Sequence, residues 1–133
     1  MGKRIALLLA VFMVATTAYA QVDQLLEEAD AAYQSDDFEE ALSLLEEALS
    51  DADSPGQQAE VYWRLSRATL GLGDRRRDAN AGEDVLLPMF EEGETYADRA
   101  IEADPENHLG YFWKAANIGR WGQTKGILNS LFK

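Results

Sequence analysis

No cysteine occurs in this chain, and histidine occurs once. The first absence excludes disulfides, thiol redox chemistry, cysteine nucleophiles and zinc fingers. The second excludes metal sites built from several imidazoles. Positive charge is scarce as well: 12 Lys and Arg stand against 24 Asp and Glu, a formal net charge of −12 over 133 residues. A surface of that sign repels phosphate backbones, so nucleic acid is not an expected partner. No stretch alternates with period two, which leaves no expected sheet. Apolar residues, by contrast, make up 47% of the chain and aromatic ones 10%. That is enough to fill the core of one small domain, so global disorder is excluded.

The first twenty residues read as a cleaved export signal. Lys3 and Arg4 form a short positive start, Ile5 to Ala15 is an unbroken apolar run, and Ala18-Tyr19-Ala20 offers small residues at both cleavage positions. The run is too short for a spanning helix, which needs about 20 apolar residues. The mature chain then covers 21–133, with no membrane span, and its expected location is exported, either periplasmic or extracellular. Its charge is uneven. Asp23 to Glu60 holds thirteen acidic residues and no basic one, whereas Asn107 to Lys133 holds Lys114, Arg120, Lys125 and Lys133 and no acidic one.

Beyond the signal, apolar residues recur at helical spacing. Leu25, Leu26, Ala29, Ala32 and Tyr33 form one stripe; Phe38, Ala41, Leu42, Leu45, Ala48 and Leu49 form the next. Asp37 followed by Glu40 has the capping-box arrangement. Asp53-Ser54-Pro55-Gly56 breaks the chain, and a third stripe runs from Val61 to Leu72, ending at Gly73. Gly71-x-Gly73 reads as a helix C-cap. A fourth helix is expected over Val85 to Ala103 with Pro88 in its first turn, and a fifth over about Asn107 to Gln123. The fold class is therefore all-α, with about five helices in antiparallel pairs.

These pairs fit the tetratricopeptide pattern, in which small residues let paired helices approach closely. Leu25, Ala29, Ala41, Leu45 and Ala48 take the key places of one unit. Tyr62, Leu65, Ser66, Gly93, Ala97 and Ala100 take those of a second, which carries 15 extra residues by register. Arg75 to Asp84 reads as an inserted loop, and Val85 to Phe90 as an added turn of helix B. An α-solenoid of such pairs follows. The order of segments, from Glu94-Thr95-Tyr96-Ala97 through Asp104-Pro105-Glu106-Asn107 and Tyr111-Phe112-Trp113 to Lys125-Gly126-Ile127-Leu128, resembles the group containing the periplasmic T-component of TRAP transporters. The regulators of microtubule dynamics look like more distant relatives. The resemblance implies a binding module serving solute uptake, docking a substrate-binding protein or holding a small apolar ligand. The alternative is a general extracytoplasmic scaffold for protein–protein contacts.

Catalytic patterns are missing, so no enzyme is expected. Ser66, Thr69 and Ser130 lack a paired base, and His108 stands alone. Asp51-x-Asp53-x-x-Gly56 only begins like a calcium loop, with Pro55 at a ligand place. No metal or cofactor is expected. In the tetratricopeptide register, Leu26, Asp30, Tyr33, Glu60, Trp63, Arg67 and Leu70 line one groove. They read either as a recognition surface or as packing between repeats. Arg75, Arg76 and Arg77 read either as charges complementing a helix C-terminus or as a loop anchor for an acidic partner. Finally, the fifth helix has no complete partner, so Trp113, Trp121 and Phe132 are expected to expose an apolar area. The chain end is then either a truncation or a surface buried in a homo-oligomer.

Overall fold

The computed structural model describes the backbone of residues 2–126 and the side chains of residues 17–126. Five helices account for nearly all of it: α1 (Gly2–Gln34), α2 (Phe38–Asp51), α3 (Pro55–Asp78), α4 (Glu83–Ala103) and α5 (His108–Lys125). There is no strand among the described residues. Successive helices are joined by short turns and packed into pairs, giving an all-α, solenoid-like arrangement. Helix α3 touches each of the other four.

Local chemistry sets the boundaries. Asp37 caps α2 by accepting from Glu40 N at 3.3 Å, as its spacing predicts. Ser54 caps α3 through Gln57 N at 3.1 Å, with Pro55 in the first turn, where its missing N–H costs nothing. Asn107 caps α5 through Leu109 N at 3.1 Å. The α1–α2 turn reverses on Asp36, whose φ of 59° lies in the left-handed region.

Two apolar clusters form the interior. The first joins α1, α2 and α3 as far as Ala68, with Leu25, Leu26, Ala29, Ala41, Leu45, Ala48 and Leu65 among its members. Ala41 and Ala48 are fully buried in this cluster, where α1 and α2 pack together. The second cluster holds Leu70, Leu86 and Phe90, with Trp113, Ala116 and Trp121 packed against it. Between the middles of α3, α4 and α5 lies a buried polar trio. Asn117 Nδ2 donates to Ser66 Oγ at 3.0 Å and to Trp113 O at 2.9 Å, while Ser66 Oγ donates to Gly93 O at 2.7 Å.

The structure corrects several expectations. Helix α3 does not stop at Gly73 but runs to Asp78, so Gly71 and Gly73 are not a C-cap. They sit in the helix interior because ring carbons need the space. A Cβ on Gly71 would lie 2.5 Å from Phe38 Cε1, and one on Gly73 would lie 2.7 Å from Phe90 Cε1. The stop falls instead at Asn80, where φ is 64°. Arg75, Arg76 and Arg77 are therefore the last turn of α3 and not an inserted loop; cations there complement the negative end of the helix dipole. Most of the extra residues lengthen α3 and α4, leaving residues 79–82 as the connection. Pro88 lies in the second turn of α4, which begins at Glu83. Trp113 and Trp121 are half-buried against the second cluster, not exposed. The large apolar residues of α5 that face solvent are Tyr111, Phe112 and Ile118. Phe132 and its neighbours Ile127, Leu128 and Leu131 lie outside the described residues.

Helix α1 continues without a break through Ala18-Tyr19-Ala20, and Gln57 Nε2 donates to Tyr19 O at 3.3 Å. Among the described residues, no helix is long and apolar enough to cross a membrane.

Candidate functional site

Spacing of three and four along α1 puts Leu26, Asp30 and Tyr33 on one side of that helix. The same spacing along α3 aligns Glu60, Trp63, Arg64 and Arg67. The fold lays the two rows against each other, and they meet at Asp30. Arg64 approaches that carboxylate side-on, Nε to Oδ1 at 3.0 Å and Nη2 to Oδ2 at 3.2 Å. Arg67 Nη2 adds a third donor at 2.5 Å. Arg64 also reaches Glu60 Oε2 at 2.6 Å, and Trp63 Nε1 donates to the same oxygen at 2.8 Å. Glu60 Oε1 accepts from Asn107 Nδ2 at 3.1 Å, which ties the start of α5 into the network.

The rings stack on this charge. Arg67 lies 4.0 Å over Tyr33 and 5.0 Å from the Trp63 ring, and Arg64 lies 4.2 Å over the same Trp63 ring. Attraction between guanidinium groups and ring faces is worth about 0.5–1 kcal/mol at exposed sites and more where water is excluded. Burial pushes the Asp30 carboxyl upward. The hydrogen bonds from Arg64 and Arg67, with their positive charge, more than offset this and hold it below its ordinary value of 3.8.

The structure thus brings five of the seven groove residues into one network: Asp30, Tyr33, Glu60, Trp63 and Arg67. Leu26 and Leu70 are instead core residues, each 7% exposed, and they belong to different clusters. Trp63 is equally covered. Arg64 and Asn107 were not anticipated. The Glu60–Arg64 pair is visible in the sequence as an i, i+4 couple, whereas the reach to Asp30 depends on how α1 and α3 pack. Of the arginine triad, Arg75 pairs with Glu39 and Arg77 with Asp74 at 3.1 Å. The triad is therefore largely occupied by carboxylates of the same chain.

This face exposes part of the Tyr33 ring and the Asp30 and Glu60 carboxylates, with the Arg64 and Arg67 side chains 15% exposed between them. Such mixed aromatic and charged surface suits macromolecular recognition. Residues 25–131 match the family model described as "Regulator of microtubule dynamics protein 1-3". The chain is similar to regulator of microtubule dynamics protein 1 from Bos taurus, 30% identical over 118 residues, covering 89% of this chain and 35% of that protein. The Pongo abelii protein of that name is 31% identical over 83% of the chain, and the Mus musculus protein 29% identical over 83%. The chain spans about a third of the length of these relatives. No solved structure matches it.

These matches overturn one expectation. The exported location, periplasmic or extracellular, gives way because the matched proteins are mammalian regulators of microtubule dynamics. Of the two kinships implied by segment order, the matches support the more distant one and do not show the transporter T-component. With the match running through all of α2, α3, α4 and α5, the chain belongs to the family of regulators of microtubule dynamics proteins 1–3.

Proposed function

We propose that this chain is a non-catalytic protein-interaction module, and that the face carrying Tyr33, Glu60, Arg64 and Arg67 contributes to partner binding. The observation that carries this reading is the Asp30-centred network, which holds the Tyr33 ring, the charges of α1 and α3 and the Asn107 amide at the start of α5 in fixed positions on one face. Ordering these long side chains beforehand lowers the entropy lost when a partner docks. The names of the relatives support a regulatory role exercised through binding. Docking of a transporter's binding protein, or storage of an apolar ligand, draws no support from them.

The test is affinity capture with the tagged full chain, wild type against Tyr33→Ala/Arg67→Ala, with helix content followed by circular dichroism. Loss of the captured partner with helix content kept supports the reading. Retention of the partner by the folded double variant overturns it. Arg67→Lys keeps the charge but not the planar stack, so it should bind at an intermediate level.

A further inference from the structure

The end of α1, the turn at residues 35–37 and the last turns of α3 enclose a depression of about 350 Å³. Its floor is apolar. The Phe38 ring, 8% exposed, lies against the backbone of Gly71, and the half-buried Tyr33 ring and the uncovered edge of the core residue Leu70 complete the surface. Its rim is anionic, with Asp36, Asp74 and Asp78, and carries one cation, Arg75. Two of these four groups are already committed. Asp74 accepts from Arg120 Nε at 2.8 Å and pairs with Arg77. Arg75 pairs with Glu39 and donates to Asp36 O at 3.2 Å.

The carboxylates of Asp36 and Asp78 have no ion pair or hydrogen bond among the described residues. Local structure does not favour an anion at residue 78, since it ends α3 at the negative pole of the helix dipole. Meanwhile the floor already accepts guanidinium groups on its two rings: Arg67 lies 4.0 Å from Tyr33 and Arg75 lies 5.5 Å from Phe38.

We infer that this depression is a socket for a basic side chain, lysine or arginine, on a protein partner. The inference rests on the interaction-module reading and adds the partner's chemistry to it. A basic side chain has an apolar stem and a charged head. The stem fits the Tyr33, Phe38 and Leu70 floor, and the head meets Asp36 and Asp78 at the rim. The surrounding unit strengthens the match, since Asp23 to Glu60 contains thirteen acidic residues and no basic one. That field draws basic segments toward the socket and repels acidic ones.

The experiment titrates the full chain into a fluorescein-labelled peptide of alternating Arg and Gly, with a Glu–Gly peptide as the reverse-charge probe, and reads anisotropy. The Arg peptide should bind and the Glu peptide should not. Asp36→Asn/Asp78→Asn should weaken Arg-peptide binding about tenfold. Both changes suit the backbone: asparagine accepts the left-handed conformation at position 36, and residue 78 is exposed. Asp23→Asn/Glu47→Gln removes the same amount of charge at exposed positions away from the socket, and should weaken binding much less. Equal loss in the two double variants would show diffuse attraction without a socket and overturn the inference. Absence of Arg-peptide binding, or equal binding of the Glu peptide, would also overturn it. A captured protein that survives Asp36→Asn/Asp78→Asn but is lost with Tyr33→Ala/Arg67→Ala would sink the socket and leave the module reading standing.

Discussion

Asn117 is fully buried, and a buried amide is costly unless its donors and acceptors are matched. Its Nδ2 is matched twice, by Ser66 Oγ and Trp113 O, while its Oδ1 rests against Gly93 without a donor among the described residues. A Cβ at position 93 would overlap the Asn117 side chain. Gly93→Ala should therefore cost about 1–3 kcal/mol by overpacking, read as a shifted denaturation midpoint. The same change made in an Asn117→Ala background should cost clearly less, since the two residues share one space. Equal costs in both backgrounds would show that the amide does not set this contact. Asp30 gives a prediction in pH. Its folded pKa is lowered, so its contribution to stability is present above the unfolded value of about 4 and is lost as pH falls through the folded one. Wild type should exceed Asp30→Asn in thermal stability near neutrality, and that gap should close on acidification below about pH 4. A gap independent of pH would remove the ionised carboxylate from the explanation.

At the scale of the helices, the contact between α1 and α2 depends on small residues. Ala41 is fully buried, so Ala41→Leu should force the two helices apart and cost about 1–3 kcal/mol. An unchanged melting temperature would contradict this packing. Helix existence was legible because the stripes at Leu25–Tyr33, Phe38–Leu49 and Val61–Leu72 follow one period and their caps have recognisable chemistry. The end of α3 was not. Gly71 and Gly73 carry the local signal of a stop, and only the rings of Phe38 and Phe90, distant in sequence, explain why a helix passes through them. The true stop, Asn80, is a weaker signal lying just beyond three arginines. The candidate face was legible in the same limited way. Helical spacing selects its residues, but it cannot separate Leu26 and Leu70, which turn into the core, from Asp30 and Arg67, which meet across two helices.

For the molecule as a whole, charge is the least balanced quantity. A net charge of −12, concentrated in the first unit, opposes compaction through self-repulsion. Raising salt from about 0.01 to about 0.15 M should therefore raise the melting temperature, as the screening length shortens. A fall would show that ion pairs such as Arg120–Asp74 outweigh the repulsion.

Helix α3 touches every other helix and supplies residues to both apolar clusters: Val61, Leu65 and Ala68 to one, Leu70 to the other. Stacked repeats often behave as a chain of nearest neighbours, each able to fray separately. A shared wall removes that independence, because melting either cluster exposes one side of the same helix. Unfolding should then be a single cooperative event, and the central amides of α3 should open only with the whole molecule. Hydrogen exchange would report it: those amides should be the slowest in the chain, and exchange slower in α2 or α4 would place the last-surviving structure elsewhere.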